Sequence, residues 1–386
     1  MSDTTTTRFR LSRMLPRDPD QPHRAASSLE LFFDLVFVVA VSIASADLHH
    51  ELAAGHLANG VLTYVLVFFG IWWAWMNFTW FATSFDNDDW LYRVMTIVQM
   101  SGVLVLAAGI GPAYKSGDYV VLVLGYVIMR VAMISQWLRA ARANPDYRRT
   151  ALFYAVGIGI AQVLWLLFLL LPSAWQMPVF FVLAGAELAV PVIAESQNKT
   201  PWHPHHITER YSLFTLIVLG ETILASANAV IGALDKVEST WSLISIAALT
   251  LISAASMWWI YFWPPHHRAI TTLRGSIRYG YVHYFVLAAA AAFSVGIELQ
   301  IDMLTKPGEV EPLVAAFAVA IPIAVFLLAI WWIAIRANAD RLVNIVVPGG
   351  AVLVLVDALL PLPVALTTVI LVAVVVVLVI RQPVRR

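Results

Sequence analysis

The stretch LELFFDLVFVVAVSIASA, residues 29–46, is apolar throughout except for two carboxylates, Glu30 and Asp34, and two serines. A run of that length with no Gly or Pro is too long for a half-buried strand. A helix crossing a hydrocarbon core about 30 Å thick needs roughly 20 predominantly apolar residues, and this is such a segment. Similar runs follow almost end to end, at approximately 57–83, 91–111, 118–138, 150–171, 177–195, 207–232, 241–263, 280–303, 313–335, 342–360 and 363–380. Sixty per cent of the 386 residues are apolar and 12% are Asp, Glu, Lys or Arg, whereas an average soluble domain is about 25% charged. Barrel strands are excluded, because each would be about ten residues of alternating polarity. The chain is therefore read as an all-α integral membrane protein of about twelve transmembrane helices, with the lipid bilayer as its first partner.

Charge orients these helices. Of the 24 Lys and Arg residues, Lys115, Lys236 and Lys306 fall on one side and Arg130 lies within a helix, while the remaining 20 collect on the other side. By the positive-inside rule that side is cytoplasmic, and both termini lie there. The first 28 residues carry five arginines and no apolar core of their own, so a basic cytoplasmic tail is expected and not a cleaved signal peptide. The 24 basic residues balance 24 acidic ones, which gives no reason to expect nucleic acid as a partner. Cysteine is absent, which excludes disulfides, thiolate nucleophiles and thiolate-bound metals.

Sliding the chain against itself by 181 to 189 residues aligns four features in order. Phe33-Asp34-Leu35-Val36 lies over Phe214-Thr215-Leu216-Ile217, Trp72-Trp73 over Trp258-Trp259, Gly109-Ile110 over Gly296-Ile297, and Leu171-Pro172 over Leu360-Pro361. The expected organisation is a tail over 1–28, a first six-helix repeat over 29–200 and a second over 201–386. Six being even, the two pseudo-repeated halves would share a parallel topology about an axis along the membrane normal. The tryptophan doublets are read first as interfacial anchors or packing, and Gly157, Gly159, Gly349 and Gly350 as close helix contacts.

An ionisable group at membrane depth costs about 2.5–3.5 kcal/mol on insertion scales, so each must be paired, hydrated or used. The pathway or ligand candidates are Asp34, Arg130, Glu187, Glu221, His283 and Glu298, with Asp357 also at membrane depth. A boundary network is expected from Glu30, Arg93, His206, Glu209 and Arg210. Glu30 and Asp34 share one face of their helix, about 6 Å apart along its axis. They are expected to meet the His206, Glu209 and Arg210 group, either as a register-fixing salt-bridge network or as part of a pathway. Glu221 follows Gly220, which would let another backbone approach, and a carboxyl at such depth can carry a proton. His283 is a candidate relay. His49, His50, Glu51 and His56, and likewise His203, His205 and His206, have spacings compatible with zinc. Neither set is completed by a second well-spaced pair, so both are read as solvated, and no metal site is expected. Asp86, Asp88 and Asp89 are read as a polar break between helices.

Two stretches carry a family resemblance. Leu29-Glu30-Leu31-Phe32-Phe33-Asp34-Leu35-Val36-Phe37-Val38 resembles the opening helix of the bacterial low-temperature-requirement A family. His206-Ile207-Thr208-Glu209-Arg210-Tyr211, continuing to Leu219-Gly220-Glu221-Thr222, resembles that family's seventh helix. Trp72-Trp73-Ala74-Trp75, the segment from Phe85-Asp86 to Arg93, Tyr281-Val282-His283 and Gly296-Ile297-Glu298 agree as well, so the likeness runs through nearly the whole chain. Ser212 departs from it, standing where relatives often have Gly. The resemblance implies a multi-pass protein of the bacterial inner membrane. It implies no reaction, since the family is named for a growth phenotype. Phe32-Phe33-Asp34 is also similar to the Phe-Ser-Asp opening of six-helix endolysosomal cation channels.

Three functions are compatible with these residues. Two parallel repeats with charges near the midplane have the layout of many transporters, which favours a pathway for protons, ions or a small solute. An integral membrane enzyme would have to use the His206 and Glu209 region, and no Gly-rich phosphate loop, zincin helix or Gly-x-Ser-x-Gly elbow is present, so no cofactor is expected. A receptor or structural protein would use the charges only to hold its helices together.

Overall fold

The computed structural model describes residues 11–18, 21, 24–237, 240–360 and 363–384. Arg8, Arg10, Arg385 and Arg386 of the termini and Pro361 of the repeat lie outside the described residues. Among those described there is no strand, and each of the twelve expected segments carries a helix. These are α1 (Ser28–Ala53), α2 (Leu57–Phe85), α3 (Trp90–Ser116), α4 (Val120–Ala143), α5 (Arg148–Phe168), α6 (Ser173–Gln197), α7 (Pro204–Ala233), α8 (Thr240–Phe262), α9 (Leu273–Thr305), α10 (Pro312–Ile335), α11 (Arg341–Asp357) and α12 (Pro363–Ile380). The first ten are long and apolar enough to cross a bilayer. The remaining two are shorter, at 17 and 18 residues.

α5 shows why these are membrane helices. Val156, Ile160, Val163 and Leu167 recur on one face and are each more than half exposed, while Tyr154, Ile158, Gln162 and Trp165 on the opposite face are buried. Apolar residues outward at helical spacing and polar ones inward invert the pattern of a water-soluble helix. Side-chain caps start the helices at polar breaks. Asp89 accepts from the Tyr92 N–H, Thr272 from the Gly275 N–H and Asp340 from the Val343 N–H. Pro191 and Pro322 lie inside α6 and α10, which continue through them.

The chain forms two compact units. One comprises the described residues up to Ala40 together with Gly70–Arg210; the other comprises Val41–Phe69 together with the described residues from Tyr211. The divisions fall inside α1, α2 and α7. Within the first unit α3 packs on α4, α4 on α5 and α5 on α6. Within the second, α9 packs on α10, α10 on α11, α11 on α12 and α12 on α8.

Small residues allow the closest of these contacts. A Cβ on Gly109 of α3 would run into the backbone of Leu122 on α4, and one on Gly296 of α9 would lie 2.5 Å from the Ala318 carbonyl oxygen on α10. Close backbone approach at glycine is the usual means of helix association where lipid removes the hydrophobic driving force. Gly157 and Gly350 meet side chains instead, those of Val190 and Val374, whereas Gly349 has no atom within 4 Å of where its Cβ would be and Gly159 only Ile134 at 3.9 Å. Gly220 differs from expectation: no atom lies within 4 Å of where its Cβ would be, because that face of α7 is exposed. The tryptophan doublets also part company. Trp72 and Trp73 are buried, whereas Trp258 and Trp259 are 42% and 44% exposed.

Candidate functional site

The first unit holds two buried charge clusters. In one, Arg210 of α7 places Nη2 2.5 Å from Asp34 Oδ1 and Nη1 2.8 Å from Glu30 Oε1. Trp75 Nε1 donates to Asp34 at 2.7 Å, and the Ser27 N–H donates to Glu30 at 2.8 Å. His206 lies between Glu30 and the Thr83 hydroxyl, 3.3 and 3.1 Å away. None of these charged side chains exceeds 1% exposure. Two carboxylates around one guanidinium, with a neutral indole donor added, satisfy the buried charges locally.

In the second cluster Glu187 of α6 receives five donors. Trp73 Nε1 is at 2.8 Å, Tyr126 Oη and Arg130 Nη2 are each at 2.9 Å, Gln162 Nε2 is at 3.2 Å and Trp165 Nε1 is at 3.3 Å. Helices α2, α4, α5 and α6 are thereby pinned to one anion.

The chain before α1 adds to this end of the first unit. Arg24 donates to the Ala82 carbonyl at 2.8 Å, which also accepts from the Asp86 N–H, and to the Thr83 carbonyl, both in the last turn of α2. Burial pulls its guanidinium down to about 10, and neighbouring Arg17 adds to the shift. Arg17 lies 3.7 Å from Asp86, and Arg139 and Ser12 hold Asp89. Burial raises the Asp86 carboxyl to about 6, Glu30 adding to the effect and Arg17 opposing it. At Asp89 burial acts upward, but hydrogen bonds from Arg139 and the Tyr92 N–H outweigh it and hold the carboxyl below its ordinary range.

Residues read as a polar helix break or as solvated histidines are therefore packed. Asp86 and Asp89 are 8% and 7% exposed, His203 6% and His206 0%. The reason is the segment before α1, which covers them: His203 Nε2 lies 3.0 Å from the Gln21 carbonyl. Two residues expected in the boundary network stand apart from it. Arg93 pairs with Asp88 at 2.7 Å on an exposed face, and Glu209 accepts from the Ala26 N–H at 3.4 Å.

The second unit holds a polar cavity of about 260 Å³ among α1, α7 and α9. Glu221 projects into it from α7 and Glu298 from α9, with Ser42, Ser45, Thr222 and Ser294 alongside. Ser42 Oγ donates to Glu221 Oε1 at 2.5 Å. By the measure of one water-sized sphere, about 10–15 Å³, the space admits several waters or a small solute. Next to Glu298, His49 Nδ1 lies 3.6 Å from its Oε2, while His49 Nε2 lies 2.8 Å from Asp302. His49 was expected in a solvated loop. α1 runs on past 46 to Ala53, and that extension carries His49 into the unit at 15% side-chain exposure.

His283 does not line this cavity. Its Nδ1 lies 2.7 Å from the Tyr279 carbonyl and its Nε2 3.0 Å from the Tyr261 hydroxyl. His266 repeats the arrangement in reverse, with Nε2 2.7 Å from the Tyr261 carbonyl and Nδ1 3.0 Å from the Tyr279 hydroxyl. Burial drops His266 to about 4. Asp357 accepts from Thr367 at 2.6 Å. Among the described residues no group of three or more His, Asp or Glu is arranged to hold a metal ion.

The indoles of Trp73, Trp75 and Trp165, together with Tyr126, Gln162, Ser42 and Asp302, are partners of the candidate charges that spacing did not reveal. The signal available was Trp72-Trp73-Ala74-Trp75, which puts indoles on several faces of α2.

Helices with lipid-type outer faces and buried ion pairs between them define a polytopic all-α membrane protein. The family model described as Bacterial low temperature requirement A protein (LtrA) matches residues 25–380, and the chain belongs to that family. It is similar to an uncharacterized protein of Rhizobium meliloti (strain 1021), 28% identical over 253 residues that make up 63% of this chain. The match spans 60% of that relative's length.

Proposed function

We propose that the protein forms a permeation or transport pathway for protons, ions or a small solute, with the cavity at Glu221 and Glu298 as its intramembrane site. The carrying observation is that these two carboxylates line a cavity, while Glu30, Asp34 and Glu187 are bound up by cations and indoles. From Glu221 the polar groups continue through Glu298, His49 and Asp302 to Lys306, which lies 3.2 Å from Asp302. In the topology of an inner-membrane protein with both termini cytoplasmic, this line leads toward the outer face.

The two-repeat organisation belongs to the same reading. Gly109 and Gly296, paired by the internal alignment, each sit where a helix meets the next one backbone to backbone. Gly157 and Gly159 are matched by Gly349 and Gly350, and one of each set, Gly157 and Gly350, meets a valine of the following helix. This supports two six-helix repeats of like topology, the arrangement on which parallel-repeat transporters are built.

The test is flux in liposomes. Purified protein is expected to conduct protons, sodium, potassium or chloride under an imposed gradient. Glu221→Gln should abolish that flux without unfolding the protein, and Asp34→Asn should act through stability instead. Absence of flux under every gradient from folded wild type would refute the proposal.

A further inference from the structure

We propose that the cavity at Glu221 and Glu298 selects a small monovalent metal cation, because its lining offers that ligand hydrogen-bond acceptors and almost no donors. The inference rests on the reading of this cavity as the pathway and names the ligand class.

A hydroxyl has one hydrogen and two lone pairs, so where the hydrogen goes decides what the oxygen presents. Around this cavity the hydroxyl hydrogens are directed to protein acceptors. Ser42 donates to Glu221 at 2.5 Å, Thr222 to the Ala290 carbonyl at 2.9 Å, Ser294 to the Ala291 carbonyl at 3.0 Å and Ser45 to the same carbonyl at 3.4 Å. What remains for an occupant is a set of hydroxyl lone pairs and two carboxylates. No lining residue is Lys, Arg or His. Asn228 is the one lining side chain with N–H donors, and it is exposed.

The contact between His49 and Glu298 points the same way independently. His49 Nε2 at 2.8 Å from Asp302 is a donor position, which in a neutral imidazole leaves Nδ1 as a lone pair. That lone pair lies 3.6 Å from a Glu298 oxygen. Two acceptors face each other there, an arrangement relieved by positive charge. An anion or a carbonyl-rich solute would add a further acceptor to this surface. Oxygen ligands of this kind suit hard cations. Ca²⁺ draws on about six to eight oxygens and Mg²⁺ demands octahedral geometry and gives up its waters reluctantly, so a lining of two carboxylates and a few hydroxyls suits a singly charged ion that sheds its waters more readily.

Binding can be read without flux. The purified full chain in detergent is titrated with NaCl or KCl replacing choline chloride at fixed ionic strength, and its thermal unfolding midpoint is followed. Sodium or potassium is expected to raise the midpoint saturably, and exchange of chloride for gluconate is expected to leave it unchanged. Glu221→Gln and Glu298→Gln should weaken the apparent cation affinity by at least ~10-fold, and Glu309→Gln on an exposed turn should not. Should Glu221→Gln fail to fold, Ser42→Ala, which removes the hydroxyl partner of Glu221, must weaken cation binding in its place. Equal midpoints for wild type in sodium, potassium and choline overturn the inference. If flux persists and depends on Glu221, the pathway reading survives that result. Saturable cation binding without flux supports the inference and fails the pathway reading.

Discussion

Arg210 Nη2 lies 2.5 Å from Asp34 Oδ1, with both side chains wholly shielded from solvent. Removing one member of such a pair strands the other charge in a low-dielectric interior, which costs about 3–5 kcal/mol. Arg210 also serves Glu30 at 2.8 Å, so Arg210→Ala strands two carboxylates and Asp34→Asn none. Arg210→Ala is therefore expected to lower the unfolding midpoint far more than Asp34→Asn. Combining Arg210→Met with Glu30→Gln and Asp34→Asn should recover much of the loss. Thermal unfolding of the four proteins in one detergent checks the order.

The five donors on Glu187 should be unequal in effect from the carboxylate itself. Trp73→Phe removes one neutral hydrogen bond of five and is expected to cost about 1 kcal/mol. Glu187→Gln leaves the Arg130 guanidinium buried without its counterion and is expected to cost about 3–5 kcal/mol. Denaturation in mixed micelles separates the two; equal losses would contradict the assignment of Arg130 to Glu187.

Gly109 and Gly296 should resist even alanine. The added methyl would meet a backbone that cannot rotate aside, a kind of overpacking that costs about 1–3 kcal/mol. Gly220→Ala, with open space at the same atom, is expected to be neutral or to gain up to about 1 kcal/mol from helix propensity. Midpoints for the three variants test the contrast.

Two groups outside the membrane-spanning segments predict opposite pH trends. His266 falls from 6.5 to about 4, so between those values the unfolded chain binds a proton that the folded chain does not. Its contribution to stability is lost as pH drops through that window. Asp86 rises from 3.8 to about 6, so there the folded chain holds the extra proton and stability declines as pH rises. His266→Gln should flatten the acid limb of the stability profile and Asp86→Asn the limb between about pH 4 and pH 6. Unfolding midpoints measured across that range give both slopes.

The helices were legible because lipid demands a run of apolar residues whatever surrounds it, and a run is a local property. That Glu30, Asp34 and Arg210 would need one another followed from the cost of buried charge. Which neutral groups complete them did not follow. Trp73 and Trp75 are two residues apart, yet one serves Glu187 and the other Asp34. Helical geometry sends those indoles in different directions, and the matching Trp258-Trp259 pair faces outward. His49 was misplaced for a simpler reason: Asp47, His49, His50 and Glu51 look like the end of a helix, but α1 stays helical through them and His49 meets Asp302.

The four bonds joining Tyr261, His283, Tyr279 and His266 close a circuit that runs one way only. Tyr261 gives its phenolic hydrogen to His283, His283 gives its own to the Tyr279 carbonyl, Tyr279 gives to His266, and His266 returns to the Tyr261 carbonyl. Carbonyl oxygens have no hydrogen to pass back, so the direction cannot reverse. The two imidazoles must then be opposite tautomers, His283 protonated at Nδ1 and His266 at Nε2. Nitrogen chemical shifts would show this as two unlike rings in one protein. A histidine buried at membrane depth can thus be an insulator, holding its hydrogen in a loop from which nothing is conducted.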